Sequence, residues 1–198
     1  MDAHAIVENW RFFKQRAPSA ATAAVVKADG YGLGAETAAR ALAQAGARVF
    51  FTATLNEALA VRAVLGDGPQ ILVLNGANAN DAESFAGARI TPVLNSLAQI
   101  KAWAGRGPAA LHIDTGMNRL GIGPEELAPA AVALKGASLV LVMSHLACGS
   151  QLDHAMNETQ RQRFVDAASL FPKAPLSLAA TAGALMGAPF HFDLIRPG

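Results

Sequence analysis

Short apolar runs alternate with Ala-rich segments of helical periodicity along the whole chain. After an opening helix near 4–16, this pattern predicts strands near 22–28, 48–53, 70–75, 89–94, 109–114, 138–144, 175–180 and 192–196. It predicts intervening helices near 34–45, 55–65, 79–86, 96–104, 124–134 and 157–170, with only a turn or two near 182–187. Runs such as ILVL and LVLVM are apolar throughout, as expected of parallel strands that are covered on both faces.

Eight strands in alternation with helices favour an α/β protein of the (β/α)8 TIM-barrel type over an open sheet. The sequence ends at Arg196-Pro197-Gly198, directly after the eighth predicted strand. A barrel of this kind normally has one more helix at that point. We therefore expect residues 1–198 to form a single barrel domain that lacks its closing helix.

Composition narrows the class of protein. The chain is 52% hydrophobic and 16% charged, with a formal net charge of +1, which is typical of a globular core and gives no reason to expect a nucleic-acid partner. The single cysteine, Cys148, excludes an intrachain disulfide and a cysteine-based metal cluster, and no metal site is expected. No apolar run is long enough to cross a membrane, and the N-terminus lacks a secretory h-region, so we expect a cytoplasmic protein.

The first segment that carries chemistry is VVKADGYGLG, residues 25–34. Lys27 is predicted at the carboxyl end of the first strand, the end at which barrels build their active sites. An amine in a largely apolar site loses its proton more easily, and the neutral amine attacks aldehydes. The neighbouring glycines allow a tight loop beside a ligand. A solvated lysine followed by a glycine turn is the plainer alternative.

Two further segments place polar groups after strands. In LHIDTGMNRLG, residues 111–121, Asp114 and Thr115 are best explained as turn residues, whereas Arg119 offers a planar donor for a phenolate or carboxylate. In MSHLACGS, residues 143–150, His145 follows a hydrophobic strand at the catalytic face, where a lone histidine is more often structural than catalytic. Histidines at metal-ligand spacing are absent from this segment.

The last two predicted strands are followed by LAATAG and DLIRPG. Thr181 follows the seventh strand and Gly198 the eighth, where barrels commonly bind phosphate. Arg196 lies in the last strand between Ile and Pro, so its charge requires a partner or a function.

In combination, these motifs resemble the alanine racemase family, a fold-type III group of pyridoxal phosphate (PLP) enzymes. The resemblance rests on VVKADGYGLG and DTGMNRLG, with NETQRQRF at 157–164 similar to the family's helix before strand seven. It implies that Lys27 holds PLP as a Schiff base and acts as the base on one face of the substrate Cα. It implies a catalytic set of Lys27, Arg119, His145 and Arg196, and a PLP-binding set that adds Tyr31, Thr181 and Gly198.

The resemblance also assigns a contact to each of these residues. Tyr31, Thr181 and the Gly198 amide would contact the phosphate. Arg119 would reach the phenolic oxygen, while Arg196 would face the pyridine nitrogen, with His145 in the network beside it. Guanidinium keeps its proton, so the ring nitrogen should stay unprotonated, which disfavours transamination and argues against a decarboxylase.

Three features depart from the family pattern. Many members carry a carbamylated lysine at the position of His112, and the usual Asn-Ser after strand seven is Ala180-Thr181 here. The family's second proton donor is a tyrosine from the C-terminal β domain of the partner subunit. Tyr31 is the only tyrosine in this sequence, so the donor must come from elsewhere.

The function implied is interconversion of L- and D-alanine, an amino-acid racemase (isomerase) reaction that supplies D-alanine for peptidoglycan. The complete enzyme would be a homodimer with a C-terminal β domain, and the 198-residue chain alone would be weakly active or inactive. Two alternatives stay open: a non-catalytic PLP-binding barrel of the PLP homeostasis type, and a racemase of serine or another small amino acid.

Overall fold

The computed structural model describes residues 2–198, and every pairing in its sheets is parallel. The strands in chain order are β1 Ala21–Thr22, β2 Ala24–Val25, β3 Val49–Thr52, β4 Gln70–Val73, β5 Thr91–Leu94, β6 Ala109–His112, β7 Leu139–Met143, β8 Leu176–Ser177 and β9 Leu194–Ile195. All eight predicted strand positions contain a strand. The first of them is divided in two.

Helices follow the strands in the predicted alternation. Their bounds are α1 Ala3–Arg16, α2 Lys27–Tyr31, α3 Ala35–Gln44, α4 Leu55–Leu65, α5 Ala82–Gly87, α6 Leu97–Trp103, α7 Leu127–Ala133, α8 Ala155–Ala168, α9 Thr181–Ala184 and α10 Ala188–His191, with a 3-10 turn at Pro124–Glu126. The helix at 55–65 matches its prediction. It begins with a capping box, in which the Thr54 hydroxyl accepts from the Glu57 amide and the Glu57 carboxylate accepts from the Thr54 amide.

The strands close into a ring. The β1 segment pairs with β9, whereas β2 pairs with β3, so the break between β1 and β2 lets one stretch of chain join both ends of the sheet. Between β8 and β9, the Asp193 amide donates to the Leu176 carbonyl at 3.0 Å and the Arg196 amide to the Ala179 carbonyl at 2.9 Å. The barrel fold expected from the sequence is confirmed.

Alternation along the strands separates an inner core from an outer one. Phe51 points into the barrel, where it packs in a cluster of inward-facing residues, while its neighbour Phe50 packs in the layer between sheet and helices. Both rings are fully buried. The inner cluster comprises Ala23, Phe51, Leu72, Val93, Ala110, Leu141, Met143 and Leu194. This filled interior leaves the carboxyl ends of the strands as the place where a ligand can enter.

Two local predictions were wrong. The first strand ends at Val25, two residues before Lys27, because the chain turns into α2 at that point. The helix at Ala188–His191 was not predicted, although Pro189 occupies its first turn, a position that suits proline.

Among residues 2–198, no helix combines the length and the apolar character needed to cross a membrane.

Candidate active site

One cavity of about 310 Å³ opens at the carboxyl ends of the strands. Seven of its lining residues are those that the sequence singled out: Lys27, Tyr31, Arg119, His145, Thr181, Arg196 and Gly198. They come from five separate stretches of the chain, so the barrel brings together groups that are up to 171 positions apart in sequence. Lysine and arginine supply all of its formal charge, because none of the lining residues is an aspartate or glutamate. The cavity is therefore suited to an anion.

Lys27 enters this cavity from an unusual turn. The backbone of Ala28 (φ 52°, ψ 51°), Asp29 (φ 51°, ψ 47°) and Gly30 (φ 62°, ψ 37°) is left-handed, and Tyr31 also has a positive φ of 59°. Left-handed backbone costs about 1–2 kcal/mol for each residue other than glycine. Lys27 and Tyr31, at the two ends of this turn, both line the cavity.

A turn held by one carboxylate presents Arg119. Oδ1 of Asp114 accepts from the amides of Gly116 and Met117, both at 2.9 Å, and Oδ2 accepts from Asn118 at 3.0 Å. The predicted turn role of Asp114 is therefore confirmed. After Arg119 the chain passes close to the start of this turn again, because a Cβ at Gly121 would lie only 2.7 Å from the Asp114 nitrogen.

The prediction for Thr115 was wrong, because its hydroxyl does not bond the turn. It lies 2.8 Å from the Ser144 hydroxyl and accepts from the side-chain amide of Gln160 at 3.1 Å. Gln160 is fully buried and also donates to the His145 carbonyl at 3.0 Å, while its oxygen accepts from the Ala147 amide at 2.8 Å. This network ties α8 to the segment that carries His145.

Arg196 is buried against neutral oxygens. Its Nη2 donates to the carbonyls of Ser144 at 2.7 Å and Leu178 at 3.4 Å, and its Nη1 donates to the Ser177 hydroxyl. These partners carry no charge. Burial lowers the pKa of Arg196 to about 10, so the guanidinium remains protonated at neutral pH.

Two neutral histidines, His112 and His145, also line the cavity. Burial, followed by the charge of Arg196, lowers the pKa of His112 and of His145 to about 3. Arg119 and Lys27 lower the pKa of His145 further. At physiological pH both rings are therefore uncharged, and the positive charge of the cavity comes from its lysine and two arginines.

The residues expected to contact a phosphate lie side by side, because a Cβ at Gly198 would lie 2.8 Å from the Tyr31 hydroxyl. The Gly198 amide donates to Oγ1 of Thr181 at 3.0 Å, which joins the segments that follow β8 and β9. Tyr31 is half-exposed, and partial burial raises the pKa of its phenol. These three residues thus share one rim of the same opening.

Sequence reasoning missed several residues that shape the site. Asn75 lines the cavity, and Asn95 holds His112, with 2.9 Å between the Asn95 Oδ1 and His112 Nδ1 atoms. Ser177 holds Arg196, and Glu57 bonds the left-handed turn. Their common signal was a polar residue at the end of an apolar strand or the start of a helix. Within residues 2–198, no group of three His, Cys, Asp or Glu side chains is placed to hold a metal ion.

Comparison with known proteins gives one consistent result. The family model described as "Alanine racemase, N-terminal domain" matches residues 1–198. An alanine racemase of Dinoroseobacter shibae is 45% identical over 205 residues, covering 100% of this chain and 58% of the relative. A protein of Mesorhizobium japonicum described as "Alanine racemase, catabolic" is 44% identical over 208 residues, covering 100% of this chain and 55% of the relative.

Solved structures agree. An alanine racemase from Bartonella henselae with covalently bound pyridoxal phosphate superposes with a TM-score of 0.96 at 38% identity, covering 100% of this chain and 60% of that one. The biosynthetic alanine racemase from Pseudomonas aeruginosa gives a TM-score of 0.89 at 32% identity, covering 98% of this chain and 56% of that one. The chain thus spans little more than half the length of these relatives. On the match over its whole length, it belongs to the alanine racemase family, in the part that the family model describes as the N-terminal domain.

Proposed function

We propose that this chain is the cofactor-binding barrel of a PLP-dependent alanine racemase, which interconverts L- and D-alanine. The observation that carries the proposal is the convergence of one lysine and two arginines on a cavity whose lining side chains include no aspartate or glutamate. PLP presents a phosphate, a phenolic oxygen and a ring nitrogen, and each of these finds a matching donor or cation in the cavity. The volume of about 310 Å³ lies within the range of small-molecule sites.

The cavity residues would have three roles: to bind the cofactor, to orient it and to exchange a proton with the substrate. Lys27 would bond the cofactor's aldehyde carbon with loss of water. Its amine would hold or return a proton at the Cα of alanine on one face once the amino group of alanine has replaced it at that carbon. Arg119 would orient the phenolic oxygen and Arg196 the ring nitrogen, with the neutral His145 beside Arg196. When bound, PLP supplies a ring that withdraws electrons and so makes the Cα proton more acidic.

The rim formed by Tyr31, Thr181 and Gly198 would bind the phosphate. The Thr181 hydroxyl is already a partner of the Gly198 amide, so a phosphate between them would replace a bond that exists in the folded chain. Hydroxyl and amide donors suit a phosphate oxygen, and a phenol with a raised pKa stays protonated and able to donate.

Racemisation also needs a proton donor on the face opposite Lys27. Tyr31 is the only tyrosine of residues 1–198 and already has a place on the rim, so we propose that the donor belongs to the C-terminal β domain of a partner subunit in a homodimer. We further propose a cytoplasmic enzyme that supplies D-alanine for peptidoglycan. A D-alanine auxotroph rescued by the complete enzyme, but not by a Lys27→Ala form, would support that role.

Borohydride trapping tests the proposal directly. After addition of PLP, reduction and peptide mapping should give a label on Lys27, and Lys27→Ala should abolish it. Lys101→Ala is the matched control, because Lys101 is an exposed lysine on α6 and its loss should leave the label unchanged. A label on another residue of the folded chain, or a label that survives Lys27→Ala, would contradict the assignment.

A second assay measures D-alanine formed from L-alanine by the 198-residue chain with PLP. We expect slow turnover or none, since the second proton donor is not among these residues. Turnover comparable to that of full-length alanine racemases would show that the chain holds both proton-transfer groups.

A further inference from the structure

The turn after Lys27 is strained and needs support. Ala28 and Asp29 have left-handed backbone, which non-glycine residues seldom adopt, and such strain persists only when surrounding contacts determine the conformation. Ala28 and Asp29 are both exposed, so packing of their side chains supplies little of that support. Hydrogen bonds must supply it.

Several of these bonds lie within the turn itself. The Gly30 amide donates to the Val26 carbonyl at 2.9 Å and the Gly34 amide to the Asp29 carbonyl at 2.8 Å. Oδ1 of Asp29 accepts from the Ala35 amide at 2.8 Å. All of these join residues 26–35 to one another, so they close the turn without orienting it against the barrel.

A carboxylate from the neighbouring βα unit supplies an external bond. Oε1 of Glu57 accepts from the Ala28 amide at 2.9 Å, across 29 positions of sequence. Its Oε2 accepts from the amides of Ala53 at 2.7 Å and Thr54 at 3.2 Å, at the start of α4. The side chain is half-buried, and both of its oxygens accept from backbone donors.

The Ala28 amide belongs to the peptide unit that begins at Lys27. Because that unit is planar, a hydrogen bond that holds its N–H restricts ψ of Lys27 and φ of Ala28 together. We propose that Glu57 is the positioning residue for Lys27: its carboxylate holds the peptide between Lys27 and Ala28 and so directs the lysine from the end of the strand into the cavity. That this direction matters for PLP binding rests on the proposed function. That Glu57 supports the turn does not depend on it.

The glutamine variant separates this role from helix capping. Glutamine serves at the third position of a capping box, so Glu57→Gln should keep α4. Its side chain has one oxygen and one NH2 group, however, and the NH2 group must face either the Ala28 amide or the amides of the capping box. Because two amides face Oε2 and only one faces Oε1, the glutamine oxygen should stay at the capping box, so the Ala28 amide loses its acceptor. Thr54→Ala is the matched control, because it removes the other half of the capping box and leaves the Ala28 contact in place.

Hydrogen exchange of the 198-residue chain without cofactor gives the first readout. Under conditions in which the variants are equally folded, amides of residues 28–34 should exchange about tenfold faster in Glu57→Gln than in Thr54→Ala, since bonds to charged acceptors are the stronger ones. The second readout is the yield of borohydride-trapped PLP on Lys27, which should fall in Glu57→Gln only. Addition of an osmolyte that stabilises the fold should not restore the yield of trapped PLP in Glu57→Gln.

The two readouts distinguish the inference from the function. If the two variants show the same exchange over residues 28–34, Glu57 is only a helix cap and the inference is overturned. If exchange differs as expected but wild-type chain gives no label on Lys27, the support of the turn stands and the proposed function fails.

Discussion

The side-chain oxygen of Asn95 lies 2.9 Å from Nδ1 of His112, and this contact determines which ring nitrogen carries the hydrogen. The amide nitrogen of Asn95 donates to the carbonyls of Leu74 at 2.9 Å and Val93 at 2.7 Å, so its oxygen must face the ring. Nδ1 is therefore the donor. Because the ring is neutral, Nε2 carries a lone pair, and the position that holds a carbamylated lysine in many family members holds an uncharged acceptor here.

His112 makes stability depend on pH. Its pKa is about 3 in the folded chain against an ordinary 6.5, so on acidification the unfolded chain takes up a proton that the folded chain refuses. The stabilisation is complete above pH 6.5 and declines as pH falls towards 3. His112→Asn keeps a donor for Asn95 and should reduce that decline by about 1.4 kcal/mol per pH unit at most. Urea unfolding at several pH values between 4 and 7.5 measures it, with His4→Asn, at an exposed site on α1, as the control for the substitution.

Ala28 should respond to substitution in the opposite way from an ordinary helical alanine. Ala28→Gly relieves left-handed strain and should stabilise the fold by up to about 1 kcal/mol, while Ala28→Val should cost about 1–3 kcal/mol. Ala60→Gly, at an exposed position inside α4, makes the same chemical change and should cost about 1 kcal/mol. Chemical unfolding of the three variants gives the comparison. Equal losses for the two glycine variants would show that the turn is not left-handed in solution.

Gln160 should be a sensitive polar position on α8. Replacing it with leucine leaves the His145 carbonyl and the Ala147 amide without their partner and should cost about 2–4 kcal/mol of unfolding free energy. Gln162→Leu on the same helix is the control. Gln162 is exposed and bonds only Asp166, so its loss should change stability by less than about 0.5 kcal/mol. Comparable losses at both positions would mean that the buried network contributes little.

Arg196→Lys should be damaging although it keeps the charge. A lysine has one ammonium group and cannot reach both the Ser177 hydroxyl and the Ser144 carbonyl with the geometry of a guanidinium fork. We expect a loss of about 1–3 kcal/mol in unfolding free energy and weaker trapping of PLP on Lys27. Arg40→Lys, at an exposed site on α3, is a control for the substitution. Unchanged stability in Arg196→Lys would show that one charge, without the fork, satisfies the site.

The barrel could be predicted from sequence because each strand is an apolar run between turn residues, which is a local signal. The convergence of Lys27, Arg119 and Arg196 followed from the fold, since carboxyl ends of barrel strands share one face. The left-handed turn could not be predicted, because Ala28 has no local preference for positive φ and its external support comes from Glu57, 29 positions away. Thr115 was misassigned for the same reason: its partner lies on α8, 45 positions away.

The lack of aspartate and glutamate side chains in the cavity lining has a consequence for handling the protein. Like charges on Lys27, Arg119 and Arg196 repel one another across the mouth of the barrel, and any anion that enters relieves that repulsion. Binding of an anionic ligand should therefore raise the melting temperature of the protein. Sulfate or phosphate in the storage buffer should compete weakly with the cofactor. A bound anion therefore acts as a counter-ion to these three positive side chains, whether or not it takes part in a reaction.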